Sequence, residues 1–201
     1  MLHSMHASSK PKAIKKWKVL DSDLVLNEKW YRVRRDTVEI EPGKIIDDYY
    51  LGLFNDVALV VALTANQHLP LVRQYKHGAG EILLELPAGY IDGGEQPLAA
   101  AKRELREETG FTAPTWQKLG TFYKNSAKAR GDNVHLFLAL NAEKTTDQQL
   151  DENENIEIVV TPFAKAVAMA GWGQIEGSDS ALGLLLAERA VPRFSSKGSN
   201  V

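Results

Sequence analysis

Between Gly89 and Phe111 the chain reads GYIDGGEQPLAAAKRELREETGF, and this stretch limits the available folds more than any other. Pro97 suits the first turn of a helix, the alanines and KRELREE supply strong helix formers, and Gly110 suits a left-handed stop. At about 100° per residue, Glu104, Glu107 and Glu108 fall within one narrow arc, because positions i, i+3 and i+4 share a face. Leu98, Ala101 and Leu105 form the adjoining strip, which is expected to be the buried side. Three carboxylates on one face repel each other unless a counter-charge is present. A divalent cation removes the repulsion, and hard carboxylate oxygens suit magnesium, with manganese as a substitute. Arg103 is placed to pair with one of the glutamates and fix its rotamer. A solvated charged face is the plainer reading of KRELREE taken alone.

A chain of 201 residues, 44% of them hydrophobic, can bury one substantial core. Its formal net charge of -2 gives no general pull toward nucleic acid or membrane. With no cysteine, disulfides, a thiol nucleophile and a zinc–thiolate site are excluded. No apolar run approaches transmembrane length and the N-terminus lacks the apolar core of a secretory signal, so a soluble cytoplasmic protein is expected.

Residues 1–18 hold five lysines and no acid, and 1–16 read as a disordered basic tail; Trp17 is too little aromatic content to argue for nucleic-acid binding. From 17 to 53 the pattern is of short antiparallel strands, WKVLDSDLVL, WYRVRRDTVEIE and IIDDYYLGLF, with a Pro42-Gly43 turn. The second of these alternates through Tyr31 and Val33 and, after a shift, Val38 and Ile40. Residues 54–194 form the main domain. In it VALVVALTANQHLPLVRQY predicts two buried strands around Ala65-Asn66, and EILLELPAG predicts one strand that delivers Pro87-Ala88-Gly89 to the glycine-rich loop. WQKLGTFYKNSAKARGDNVHLFLAL predicts two strands around a polar loop over 124–133, with His135 a packed or hydrogen-bonded strand residue. The segment from Glu143 to Glu157 carries six acids against one lysine. Helices are expected from about Pro162 to Ala170 and from about Asp179 to Arg189, and 195–201 read as a disordered tail.

Gly89, Glu95, Arg103-Glu104-Leu105, Glu107-Glu108, Gly110 and Phe111 together resemble the Nudix box, and the chain resembles the ADP-ribose pyrophosphatase and nucleoside-diphosphate-sugar hydrolase branch of the Nudix hydrolases. The resemblance implies an α/β/α sandwich with a mixed sheet, preceded by an N-terminal antiparallel β subdomain over 17–53 through which two copies form a homodimer. It implies metal ligation by Glu104, Glu107, Glu108 and the carbonyl of Ala88. It also implies that a glutamate of the acidic loop, Glu152 or Glu154, swings toward the attacking water; an ordinary solvated loop is the alternative for that pair. We take Glu108, Arg103, Glu152 and Glu154 as the catalytic set, and Arg73, Glu85, Trp30 and Ser126 as substrate contacts. Arg73 can donate a fork of hydrogen bonds to a diphosphate, or else is an edge-strand charge facing water. Where ADP-ribose specialists of the branch carry a proline, this chain has Ser126-Ala127, which points to broader selectivity.

The activity so implied is metal-dependent hydrolysis of the diphosphate of nucleoside diphosphate sugars, ADP-ribose included, to a nucleoside monophosphate and a sugar phosphate. Two alternatives stand beside it. One is a nucleotide-sensing Nudix-fold module without catalysis, disfavoured because every box residue is present and because roughly thirty residues after Pro162 are too few for a DNA-binding module. The other is a hydrolase of dinucleoside polyphosphates.

Overall fold

The computed structural model describes residues 13–191. The expected tail over 195–201 and residues 1–12 of the basic tail lie outside them. The chain divides between Leu53 and Phe54 into two compact units.

The N-terminal unit is an antiparallel meander of β1 (Lys18–Asn27), β2 (Arg32–Glu41) and β3 (Lys44–Leu53), with β2 in the middle. Gly43, at φ 78°, makes the tight β2–β3 turn. Register shifts between Asp36 and Val38 of β2, and between Val19 and Asp21 and between Leu24 and Leu26 of β1, kink the ladders, so apolar alternation is only partly kept. Of the alternating positions Val38 is buried, whereas Tyr31 stays 51% exposed. Asp36 is buried instead, which hydrophobic periodicity had not indicated. Its carboxylate accepts a two-pronged ion pair from Arg34 and the Ser22 hydroxyl at 2.7 Å each, which repays its desolvation. Every residue of β1 is exposed, including Val19, Leu20, Leu24, Val25 and Leu26.

The second unit contains β4 (Val57–Leu63), β5 (His68–Lys76), β6 (Glu81–Glu85), β7 (Ala88–Tyr90), α1 (Pro97–Thr109), β8 (Phe111–Thr112), β9 (Thr115–Tyr123), β10 (Ala129–Arg130), β11 (Asn133–Leu140), β12 (Glu143–Lys144), β13 (Glu157–Pro162), α2 (Phe163–Gly171) and α3 (Ser178–Ala190). Its main sheet runs β7-β4-β11-β9, with β4 and β11 parallel and the outer pairs antiparallel; a second, antiparallel sheet runs β13-β5-β6. The two faces of β4 explain the layering. Leu59, Val61 and Leu63 pack with β5, β11, α2 and α3, while Ala58, Val60 and Ala62 pack with Ala100, Ala101 and Leu105 of α1. A strand buried on both faces reads as a continuous apolar run, which VALVVAL is. The result is the α/β/α sandwich with a mixed sheet.

Three expectations change. EILLELPAG is two strands in different sheets: Pro87 has no N–H for a ladder, and Leu86 gives its N–H to Ser180 Oγ at 2.9 Å. The Pro87 carbonyl then accepts from Val60, which carries the chain onto β4. Leu98, in the first turn of α1, stays 37% exposed, and Ala100 is buried with Ala101 and Leu105. Within the polar loop over 124–133 lies the short strand β10. The helices α2 and α3 fall within one residue of expectation. No helix among the described residues is long and apolar enough to cross a membrane.

Candidate active site

Helix α1 begins at Pro97 and ends at Gly110, which takes φ 71° and bonds its N–H to the Arg106 carbonyl. Its sheet-facing side is not wholly apolar: Glu104 and Glu108 are buried at 9% and 3% exposure. Glu104 reaches its position because β7 presents a glycine there. A Cβ on Gly89 would lie 2.0 Å from Glu104 Oε1, so only glycine leaves room for this carboxylate. Glu108 accepts the Ala88 N–H at 2.9 Å, which ties the carboxylate to the strand whose carbonyl the sequence nominated as a ligand.

Arg103 organises the charged face. It forks onto Glu95 through Nε and Nη2 at 3.1 and 2.9 Å, and it donates to Glu104 Oε1 at 2.6 Å, Glu107 Oε2 at 3.2 Å and the Tyr90 carbonyl at 3.0 Å. We expected it to pair with one glutamate, and it holds three. The Glu95 fork raises the guanidinium pKa and lowers that of Glu95. Burial raises the pKa of Glu104 against the pull of Arg103, and it pushes Glu108 up to about 8 against the Ala88 hydrogen bond. The negative charge of Glu154 adds to both upward shifts, and Lys76 opposes the one at Glu108.

The structure thus gathers Ala88, Arg103, Glu104, Glu107, Glu108 and Glu154. Of the acidic-loop pair, both of them exposed, Glu154 is the member whose charge acts on the buried carboxylates. Arg73 lies on β5, which is central in its sheet rather than an edge, and it pairs at 2.9 Å with its cross-strand neighbour Glu157. Glu85, at the end of β6, is 3.4 Å from Lys76 Nζ. Ser126 sits in a separate exposed turn that Asn125 closes, accepting the Lys128 N–H on its side chain and the Ala129 N–H on its carbonyl. Trp30 belongs to the N-terminal unit, where it is 78% exposed with Lys29 Nζ 4.4 Å from its ring. His135 is hydrogen-bonded on its strand, 3.2 Å from Asp56 and 3.3 Å from Thr121.

Reasoning from sequence missed Glu95 as the principal partner of Arg103, although its place in the motif was a usable signal. It also missed Lys76 as the cation acting on Glu108. A cleft of about 300 Å³ lined by Asn55, Asp56, Ile91, Gly93, Glu95, Pro97 and His135 adjoins the site. It excludes Glu104, Glu107 and Glu108, and we place the chemistry at those carboxylates, where burial and charge are concentrated.

Among the described residues no three acidic or histidine groups enclose a ready cation shell, because the Arg103 guanidinium holds Glu104 and Glu107. The donor set nevertheless fits a hard divalent cation. A buried pair of carboxylates with raised pKa, in a cradle that a Cβ at Gly89 would fill, is stabilised by added positive charge.

An α/β/α sandwich with this acidic helix face against the loop from β7 defines a class of hydrolase fold, and the comparisons assign its family. Residues 53–177 match the NUDIX domain model, and residues 17–51 match that of the nucleoside diphosphate sugar hydrolase N-terminal domain. The chain belongs to the Nudix family, whose hydrolases generally need a divalent metal. It is 33% identical over 168 residues to an ADP-ribose pyrophosphatase of Mycobacterium tuberculosis, covering 82% of this chain and 80% of that one. It is 29% identical over 167 residues to a GDP-mannose pyrophosphatase of Klebsiella pneumoniae, covering 76% and 82%. A crystal structure of an ADP compounds hydrolase superposes with a TM-score of 0.75 over 90% of this chain and 97% of that one; at 23% identity it speaks for the fold.

Proposed function

We propose that the protein hydrolyses the diphosphate of nucleoside diphosphate sugars, ADP-ribose among them, to a nucleoside monophosphate and a sugar phosphate. The observation that carries this is the pair of buried carboxylates, Glu104 and Glu108, held beside Ala88 and Gly89. In this reading Glu104, Glu107, Glu108 and the Ala88 carbonyl hold magnesium, or manganese in its place. Once bound, the metal supplies neutralisation of phosphate oxygens and a lowered pKa for ligated water.

The chain's own residues do the rest. Arg103 sets the rotamers of Glu104 and Glu107 from the fixed point of Glu95. Glu154, whose negative charge acts on both buried carboxylates, accepts the proton of the attacking water, with Glu152 as the alternative. Arg73 and Lys76 supply positive charge for the diphosphate, and Glu85 and Ser126 add substrate contacts. Because the leaving group is itself a phosphate, positioning and charge stabilisation carry the rate.

We further propose a cytoplasmic homodimer formed through the N-terminal strands. Support comes from the exposed apolar side chains of β1 and from the match of residues 17–51 to the N-terminal domain model.

A panel of ADP-ribose, GDP-mannose, UDP-glucose, ADP-glucose and dinucleoside polyphosphates, assayed with magnesium and then manganese, tests the substrate class. With alanine at 127 in a turn closed by Asn125, several diphosphate sugars should be cleaved at efficiencies within roughly 10- to 200-fold of one another. A preference for ADP-ribose above about ten-thousand-fold would contradict the moderate selectivity. Tight binding of all of them without turnover would favour the sensing module.

A further inference from the structure

The last turn of a helix leaves carbonyls without intrahelical partners, and in α1 the segment from Thr145 to Gln149 takes them up. Thr145 and Thr146 give their N–H groups to the Gly110 carbonyl at 2.9 and 3.1 Å, and Gln149 gives its N–H to Glu107 at 2.8 Å. Gln148 does something different. Its side-chain Nε2 donates to the Glu108 carbonyl at 2.7 Å and to the Ile156 carbonyl at 3.2 Å. One amide, which has two hydrogens to give, thereby bonds both the metal-binding helix and the far end of the acidic loop. The residues between, 149–155, form a short loop closed at both ends. Inside it Asp151 and Glu154 exchange bonds, Glu154 N–H to the Asp151 carbonyl and Asp151 N–H to Glu154 Oε2, each at 3.0 Å. Ile156, at the closing end, is buried at 6% exposure.

We propose that Gln148 is a positioning residue that holds the Glu154 loop within reach of the Glu104 and Glu108 carboxylates by tying the far end of the loop to α1. It rests on the reading of Glu154 as the proton acceptor. Loss of the amide leaves the loop attached to α1 only through backbone, without the side-chain tie between Glu108 and Ile156. The carboxylate then spends less time where the water is, and a misplacement of about 1 Å can cost on the order of 100-fold.

The test is a double-mutant cycle of Gln148→Met, similar in length but without donors, in the natural and Glu154→Gln backgrounds, with ADP-ribose and magnesium. In the natural background kcat should fall about 10- to 100-fold, while KM and the magnesium dependence stay within about twofold. In the Glu154→Gln background the same change should cost less than about twofold, because the group it positions is already gone. Hydrogen exchange should quicken over 150–155 and remain slow over 101–109.

An equal loss in both backgrounds, a shifted magnesium dependence, or faster exchange in α1 as well would make Gln148 a helix cap and overturn the proposal. If Glu154→Gln is impaired and Gln148→Met is not, this proposal alone fails. If Glu154→Gln keeps full kcat, the assignment of Glu154 fails and this proposal with it.

Discussion

Glu108 meets two opposed demands: it is buried at 3% exposure, and in the proposed metal site it has to be anionic. Burial pushes its pKa from 4.5 to about 8, so near neutral pH the folded chain keeps a proton that the unfolded chain releases. The stability this group contributes is complete below about pH 4.5 and is lost as pH rises through about 8. In EDTA, urea unfolding at successive pH values should show the natural chain losing stability across that window, with Glu108→Gln flatter. Magnesium should offset the loss at the upper end by binding the folded form. Equal slopes for the two chains would contradict the burial argument.

At the scale of elements, the N-terminal strands carry the quaternary proposal. Three strands with exposed Val19, Leu24, Leu26 and Trp30 make a marginal sheet and a large apolar surface. Deleting residues 1–45 removes β1 and β2. Light scattering should then show a monomer or aggregate with little turnover, and a soluble, fully active monomer would count against dimerisation here. Helix α1 was legible in the sequence because its signals are local: Pro97 at the start, Gly110 at the end and carboxylates at helical spacing between. The strand switch at Pro87 was not legible, since the partner of Leu86 is Ser180, 94 residues away. Gln148 carried no spacing signal for the same reason, lying 40 residues from Glu108. Buried Asp36 was hidden because a lone aspartate in a strand reads as solvent-facing until Ser22 and Arg34 are seen to satisfy it.

Across the whole molecule, the sandwich packs β4, with β7 paired to it, against α1 through Ala58, Val60, Ala100 and Ala101, which bring helix and sheet close. That approach puts Glu104 over Gly89 and Glu108 over Ala88, and everything proposed about the chemistry follows from it. The most direct measurement is turnover of ADP-ribose with magnesium by the natural chain and by Glu108→Gln, with products identified by mass. The account predicts AMP and ribose 5-phosphate in equal amounts, no release in EDTA, and a loss of roughly 100-fold or more in a Glu108→Gln protein that remains folded. No AMP from the natural chain, or turnover by folded Glu108→Gln within a few-fold of it, would contradict the account.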